Sequence, residues 1–284
     1  MHSNQLLIID PQNDFCDTPD SWWPRSPLDG STITPALPAP GAHADMQRLA
    51  RWITEQGNRL SNITITLDSH QAYDIAHPGF WRQRDGSAVN PFTPITAAQV
   101  RSGNFVPRNA IALPRVLQYL DALEAEGRYT LMVWPLHCEI GSWGHGVHAA
   151  VLAACRDWQA TQHRAVHHVF KGMNPFTEHY SAIRAEVPDP QDPETGLNEA
   201  LLQHLTSADQ LLIAGEAGSH CVRATTEHIV QNIGRYAVGY DLSRIVLLTD
   251  CMSPVSGFAD AQTAFVAQMR AAGVRCETST GFTL

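Results

Sequence analysis

The sequence alternates short apolar runs with stretches of helical periodicity, and it does so six times. Short apolar runs predict buried strands, and apolar residues that recur every three to four positions predict helices. The predicted strands are Gln5–Ile9, Ile63–Leu67, Leu131–Trp134, His167–Phe170, Leu211–Ala214 and Arg244–Leu248. The predicted helices are about His43–Gln56, Arg115–Glu126, His145–Gln162, Asn198–Ser207, Cys221–Asn232 and Phe258–Ala272. This alternation predicts an α/β fold with a mostly parallel sheet and helices on both of its faces.

Three proline-rich segments do not follow the alternation: Pro19–Pro40, Gln71–Asn109 and Val187–Thr195. Loops of this length in a compact domain are usually lids, insertions or oligomer contacts. The chain has no internal repeat, low-complexity tract or linker-like composition. We therefore predict one elaborated domain over residues 1–284.

Composition excludes several classes of partner. A net charge of −9 argues against binding to nucleic acids or to anionic membranes, because an acidic surface does not attract either. The N-terminus has no basic region followed by an apolar core, and no apolar run approaches the length of a membrane span. Six scattered cysteines without a C-x-x-C pair then predict reduced thiols in the cytoplasm.

One of these cysteines, Cys221, lies where an apolar run ends and a helical pattern begins. The first turn of a helix offers unpaired backbone N–H groups and the positive end of the helix dipole. This setting favours the thiolate, which is the nucleophilic form of cysteine. The alternative is a small buried cysteine at a tight turn, with no chemical role.

Two charged residues also follow predicted strands. In parallel sheets the carboxyl ends of the strands share one edge, where ligands bind. Asp10 follows the first strand and Lys171 the fourth, so both should lie near Cys221. The carboxylate can take the thiol proton, and the ammonium can stabilise the charges around it. Taken alone, however, Asp10 suits a turn-capping residue and Lys171 a solvated strand end.

A third strand end carries the residue types of a metal site. Asp68 and His70 are two residues apart, so on a strand they point to the same side. His77 follows seven residues later, and His137 comes after the next predicted strand. Imidazoles with one carboxylate suit Zn²⁺, Fe²⁺ or Mn²⁺. With fourteen histidines in the chain, chance pairing is the alternative.

Taken together, these motifs resemble the isochorismatase-like cysteine hydrolases, and among them the nicotinamidase (pyrazinamidase) branch. They occur in the family order and span residues 5 to about 233. The matching segments are Asp10-Pro11-Gln12-Asn13-Asp14-Phe15-Cys16, Asp68-x-His70, Trp134-Pro135-Leu136-His137-Cys138 with Gly141, Lys171-Gly172 and His220-Cys221-Val222.

The resemblance implies a three-layer α/β/α, Rossmann-like fold with a six-stranded, mostly parallel sheet. It implies a catalytic triad of Cys221, Asp10 and Lys171. The chain is longer than compact members of the branch, with the extra length mostly near residues 71–109 and 177–195. The resemblance also implies a homo-oligomer.

The resemblance further assigns a metal site and a substrate pocket. The implied ligands of one divalent metal ion are Asp68, His70 and His137, with His77 as a further ligand position. Zn²⁺ is the first candidate, and Fe²⁺ or Mn²⁺ are the alternatives. Phe15 and Trp134 match the aromatic positions that hold a flat ring substrate.

The turn before the nucleophile departs from the family pattern. It contains a charged residue, Glu216, where the family has a small apolar one. The family also has a cis peptide here, which corresponds to the bond between Glu216 and Ala217. The backbone N–H groups of Ala217 and Cys221 are the expected oxyanion hole.

The expected activity is hydrolysis of a small carboxamide, with nicotinamide as the first candidate, through a thioester on Cys221. Other substrates within the superfamily, such as N-carbamoyl amides or isochorismate-like compounds, are an alternative. A second alternative is a metallohydrolase in which metal-bound hydroxide attacks and Cys221 is structural. A third is a binding protein that keeps the fold without catalysis.

Overall fold

The structure is a computed structural model that describes residues 3–284. Its strands are β1 (Asn4–Ile9), β2 (Asn62–Asp68), β3 (Trp81–Gln83), β4 (Thr93–Ile95), β5 (Phe105–Pro107), β6 (Leu131–Val133), β7 (His167–Lys171), β8 (Gln210–Gly215), β9 (Ile245–Leu248) and β10 (Arg275–Glu277). Its α-helices are α1 (Ala42–Gln56), α2 (Ala97–Arg101), α3 (Leu113–Glu126), α4 (Ala149–Gln162), α5 (Glu199–Thr206), α6 (Cys221–Tyr236) and α7 (Ala259–Ala272).

Six of the strands form one sheet in the order β10-β9-β8-β1-β2-β7. Every neighbouring pair in it is parallel. The predicted α/β fold with a six-stranded, mostly parallel sheet is therefore confirmed. All carboxyl ends of these strands face the same edge, which is where a ligand site is expected.

Alternation along β1 divides the core between the two faces of the sheet. Leu6 and Ile8 pack with residues of α1 and α4, while Leu7 and Ile9 pack with residues of α5, α6 and α7. Side chains of a strand point alternately to opposite faces, so an all-apolar strand needs helices on both sides. This arrangement gives the predicted three layers.

One predicted strand lies outside the large sheet. The run Leu131–Trp134 was expected to be one of the parallel strands, but β6 pairs antiparallel with β4 in a separate two-stranded sheet. The run is apolar enough to be buried, but an apolar run does not specify its partner. The sixth place in the large sheet is taken by β10, a polar, half-buried edge strand without an apolar run.

The segment Gln71–Asn109 has its own structure. It contains β3, β4, β5 and α2, and together with α3 and β6 it surrounds a third apolar cluster around Phe80 and Trp81. The helix α2 begins with a capping box formed by Thr96 and Gln99. The proline-rich segment Gln71–Asn109 is therefore folded and is not an open loop.

The predicted helices are present, with two boundaries shifted by four residues, since α6 continues past Asn232 to Tyr236. The helix expected from His145 begins at Ala149, because residues 142–148 form turns that hold the end of β1. Among residues 3–284, no helix is both long enough and apolar enough to span a lipid bilayer.

Candidate active site

Cys221 is held at the start of α6 by a tight turn that follows β8. Gly215, the last residue of β8, has a φ of 125°. A Cβ at this position would collide with the backbone of Ile9 in the neighbouring strand, so only glycine fits. The next peptide bond, between Glu216 and Ala217, is cis, as the resemblance predicts. The turn places the Cys221 side chain, which is 5% exposed, above the end of β1.

Side chains from two other strand ends approach Cys221. The Nζ of Lys171 lies 2.9 Å from Oδ2 of Asp10 and 3.6 Å from Sγ of Cys221. A carboxylate oxygen of Asp10 lies within 4.8 Å of Sγ of Cys221. The Oδ1 of Asp10 accepts a hydrogen bond of 2.6 Å from Thr66. The structure thus brings together the three residues that the sequence analysis selected as a catalytic triad.

Asp10 has an unusual backbone conformation. Its φ is 44°, in the left-handed region that few residues other than glycine adopt. Such strain persists only where the surroundings fix it, and it is frequent at functional sites. Here the surroundings include the side-chain amide of Gln12, which bonds both the N–H and the C=O of Asp68 at 2.8 Å. This amide locks the end of β1 to the end of β2.

The resting charge of Cys221 differs from the sequence-based expectation. The helix N-terminus was expected to favour the thiolate, but burial raises the pKa of Cys221 well above its ordinary value. Lys171 opposes this shift, whereas Asp10 and Asp68 add to it. Burial and two carboxylates outweigh one ammonium and one helix terminus. Cys221 is therefore a thiol at rest, with Asp10 beside it as a proton acceptor.

The predicted metal ligands form a second buried cluster next to these residues. The Oδ2 of Asp68 lies 3.1 Å from Nε2 of His70 and 3.5 Å from Nε2 of His137. The outer nitrogens of both rings are already engaged. Nδ1 of His70 is 3.0 Å from a carboxylate oxygen of Asp74, and Nδ1 of His137 is 2.8 Å from the carbonyl oxygen of Pro135.

These partners fit a metal site. Each is a hydrogen-bond acceptor, so the outer nitrogen of each ring can carry the proton and leave the lone pair of Nε2 to a metal ion. This is how ligand histidines are commonly oriented. Two imidazole nitrogens and a carboxylate oxygen thus converge, which is a donor set for Zn²⁺ or a similar divalent ion.

His77 belongs to the same cluster but differs in orientation. His70, His77 and His137 offer ring nitrogens within 4.8 Å of one another. The Nε2 of His77, however, lies 3.2 Å from Nδ1 of His137, the nitrogen that faces away from Asp68. Burial and the neighbouring imidazoles lower the pKa of His77 to about 2, so it is neutral. Its role as a ligand remains a prediction.

A small pocket opens above Cys221. The predicted substrate residues Phe15 and Trp134 are both part of its wall, as is the predicted oxyanion-hole residue Ala217. Trp134 donates a hydrogen bond of 3.1 Å to the hydroxyl of Tyr180. The remaining wall residues are Leu37, Asp68, His137, Glu178, Tyr180, His220, Cys221 and Val255.

The predicted oxyanion hole has the required free donors. Within the described part of the chain, no protein group accepts a hydrogen bond from the backbone N–H of Ala217 or Cys221. Cys221 is the first residue of α6, where N–H groups have no partner inside the helix. Both donors belong to residues that line the pocket.

Some residues that hold the site were not found from the sequence. Asp74 orients His70, and Thr66 orients Asp10. Glu178 lines the pocket with one buried carboxyl oxygen that has no partner, and burial raises its pKa to about 8. Motif spacing around Asp68 could have indicated Asp74, four residues after His70. No local signal marks Glu178, which comes from the segment near residues 177–195.

No protein-family model matches the sequence, and no curated protein matches it. Solved structures do match. A nicotinamidase from yeast superposes with a TM-score of 0.60 at 20% identity, over 96% of this chain and 99% of the yeast chain. A nicotinamidase/pyrazinamidase from Acinetobacter baumannii gives 0.62 at 17% identity, over 99% of this chain and 98% of its own.

A pyrazinamidase from Pyrococcus horikoshii, solved in complex with zinc, gives a TM-score of 0.52 at 16% identity. It matches 97% of this chain and 99% of its own length. Identities of this size establish a common fold and leave the activity to be argued from the site. The chain has the three-layer α/β fold of the nicotinamidases and pyrazinamidases.

Proposed function

We propose that this protein is a cysteine-dependent amidohydrolase that releases ammonia from a small carboxamide, with nicotinamide as the first candidate substrate. One observation carries the proposal. The buried thiol of Cys221 and the buried carboxylate of Asp10 both contact the ammonium of Lys171 at the base of a small pocket, and they lie within 4.8 Å of each other. Packing alone does not require a nucleophile and a base to share one buried ammonium.

The first half of the reaction follows from these contacts. Asp10 takes the proton from Cys221 as Sγ attacks the carboxamide carbon, since the thiol is protonated at rest. The carbonyl oxygen becomes negative and accepts hydrogen bonds from the N–H groups of Ala217 and Cys221. Such donors typically contribute about 3–4 kcal/mol each to transition-state stabilisation.

The second half releases both products. The C–N bond breaks, and the proton on Asp10 passes to the leaving nitrogen, so ammonia departs and a thioester remains on Cys221. Water then gives a proton to Asp10 as its oxygen attacks the thioester carbon. The C–S bond breaks, Cys221 recovers the proton and the carboxylic acid leaves. Lys171 stays protonated throughout, because Asp10 and Asp68 raise its pKa well above the ordinary value against the effect of burial.

The metal site is part of the proposal. Asp68, His70 and His137 would hold one divalent ion, with Zn²⁺ as the first candidate, and the ion would supply Lewis acidity beside the pocket. His137 also contacts the substrate wall, because its ring lies 5.5 Å from that of Phe15. The metal ligands thus help to shape the space in which the substrate lies.

The choice of substrate rests on the shape of the pocket and on related structures. Phe15, Trp134 and Tyr180 offer aromatic surfaces around a small space, which suits a flat ring. Solved structures with this fold include the yeast nicotinamidase with the inhibitor nicotinaldehyde and a Leishmania infantum protein with nicotinate. Other small amides, N-carbamoyl compounds included, are the nearest rivals.

The test measures ammonia release from a panel of small amides, including nicotinamide and pyrazinamide. Cys221→Ala should abolish release while the fold and the metal content are retained. Cys155→Ala is the matched control, because Cys155 is equally buried but lies on α4 away from the pocket. Mass spectrometry of acid-quenched reactions should find the acyl group on Cys221. Turnover by Cys221→Ala comparable to that of wild type would contradict the proposal.

Alkylation of Cys221 and removal of the metal distinguish this mechanism from its rival, in which the metal ion supplies the nucleophile and Cys221 is structural. In that case alkylation of Cys221 leaves activity intact and removal of the metal ends it. Activity with another member of the panel, but not with the pyridine amides, would keep the cysteine chemistry and change the substrate. Silence across the panel would favour a binding protein.

A further inference from the structure

The carboxyl group of Glu216 is buried directly behind the oxyanion hole. Glu216 has no exposed surface and immediately precedes Ala217. Its side chain points away from the pocket and towards α1, where it meets Asp45, which is 3% exposed. No step of the proposed reaction uses either carboxyl group.

Both carboxyl groups accept from Ser253, Glu216 through Oε2 and Asp45 through Oδ2, and Oε1 of Glu216 has no hydrogen-bond partner among the described residues. Two buried carboxylates side by side offer only acceptors and repel each other, so this arrangement favours a proton held between them. Arg48 forms an ion pair with Asp45, which stabilises the charge of Asp45. The proton therefore resides mainly on Glu216, which has no cation beside it.

The surroundings of Glu216 also favour the protonated form. The nearby acidic groups are Asp45 on α1 and Asp17 after β1, and the thiol of Cys16 lies in the same region. Burial and the charge of Asp45 raise the pKa of Glu216 well above its ordinary value. A charged Glu216 would place a second buried negative charge next to Asp45.

Ser253 connects this pair to the turn on both sides of Ala217. Its backbone N–H donates to Oε2 of Glu216 at 3.0 Å, and its carbonyl oxygen accepts from the N–H of Gly218 at 2.9 Å. Its hydroxyl donates to Oδ2 of Asp45 at 2.5 Å. The residue before Ala217 and the residue after it are thus both bound to one serine.

We propose that Glu216 and Asp45 share a proton, and that this pair, with Ser253, positions the turn that presents the N–H of Ala217 to the substrate. The catalytic consequence rests on the proposed amidohydrolase function. Glu216 and Asp45 are positioning residues, because neither touches the substrate pocket. The apolar residue expected here would make no such link to α1.

The shared proton is tested without any activity assay. The infrared difference spectrum of wild type minus Glu216→Gln at neutral pH should show a protonated carboxyl band. The folded-to-unfolded ratio should fall by up to tenfold per pH unit above the ordinary pKa of glutamate, because the unfolded chain releases the proton first. In Glu216→Gln this decline should be shallower by one proton. An unchanged spectrum and an unchanged slope would overturn the shared proton.

Positioning is tested by comparing two substitutions of similar size. Glu216→Gln keeps a neutral donor for Asp45 and should retain kcat within about twofold. Glu216→Leu removes the link and should lower kcat roughly 10- to 100-fold, with KM nearly unchanged, because a small displacement of a catalytic group has effects of this size. Asp45→Leu removes the same link from the side of α1 and should lower kcat likewise, which provides a second route should Glu216→Leu fold poorly.

Glu186→Gln is the control for both arms, because Glu186 is also a buried carboxyl but faces Arg128 and not the turn. It should change the pH slope of stability and leave kcat unchanged. Wild-type kcat in Glu216→Leu would overturn the positioning role. Absence of amidase activity in wild type would overturn the proposed function alone, because the infrared and stability results still decide the shared proton.

Discussion

The ammonium nitrogen of Lys171 lies 2.9 Å from Oδ1 of Asp68, and the same nitrogen is 2.9 Å from Oδ2 of Asp10. Lys171 therefore links Asp10, the predicted base beside Cys221, to Asp68, whose carboxylate faces His70 and His137. All three charged side chains are at most 5% exposed. The charge of a metal ion bound by Asp68 would therefore also affect the catalytic residues, because Lys171 contacts both Asp68 and Asp10.

Replacing Lys171 should lower the free energy of unfolding of the protein. Lys171→Met leaves two buried carboxylates facing each other, and breaking a buried ion pair typically costs about 3–5 kcal/mol. We expect the free energy of unfolding, measured with urea, to fall by about this amount and turnover to be lost. The double variant Lys171→Met/Asp10→Asn should recover part of the stability without activity. Wild-type stability in the single variant would contradict the burial of these charges.

Metal content should depend on a residue that is not itself a ligand. Asp74 accepts from Nδ1 of His70 and so fixes the ring that presents Nε2 to the ion. Losing such a partner typically weakens metal binding about 10- to 100-fold. We expect one divalent ion per chain by elemental analysis, and competition with a chelator should show weaker binding in Asp74→Asn. His168→Ala, an exposed histidine on β7, should bind metal as wild type does. Equal affinity in Asp74→Asn would argue against this metal site.

Stability should fall as the pH rises through the neutral range. Burial raises the pKa of Glu186 from its ordinary 4.5 to about 7, against the opposing effect of Arg128. The folded state thus holds a proton that the unfolded chain releases. The resulting stabilisation is fully present below about pH 4.5 and is lost as the pH rises through 7, which amounts to about 3 kcal/mol.

Urea unfolding of wild type and Glu186→Gln between pH 5 and pH 8 measures this contribution. The variant should lose less stability across this range. Glu55→Gln, at an exposed position on α1, should follow the wild-type curve. Parallel curves for wild type and Glu186→Gln would mean that Glu186 is ionised in the folded protein.

The aromatic wall should matter for ring substrates and not for the chemistry itself. Trp134→Ala should raise KM for nicotinamide by about 2- to 10-fold, the range expected for loss of about 0.5–1.5 kcal/mol of ring contact. Trp134→Phe should retain most of the affinity. An aliphatic amide of similar size should show little difference between the three proteins. An equal loss for ring and aliphatic amides would indicate that Trp134 acts on the backbone of the site.

Sequence reasoning succeeded where a local pattern determines the outcome. Five of the six strands in the large sheet were predicted, and their parallel order brings Asp10, Asp68, Lys171 and Cys221 to one edge. It failed for β10, a polar edge strand, and for the partner of β6, because neither is encoded by local periodicity. The predicted charge state of Cys221 was also wrong, because the pKa of its thiol depends on Asp10 and Asp68, which are distant from it in the sequence.

The pairing of β4 with β6 has a consequence for how substrate preference can change. Phe92 donates its backbone N–H to the carbonyl of Val133 at 2.6 Å, and Trp134 donates to the carbonyl of Ala76 at 2.7 Å. Residues 71–109 thus line no part of the pocket but fix the position of Trp134, one of its wall residues, while β1, β2, β7 and α6 supply the reacting groups. Substitutions around Ala76 and Phe92 can therefore move one side of the pocket, and with it the substrate preference, without replacing any group that reacts.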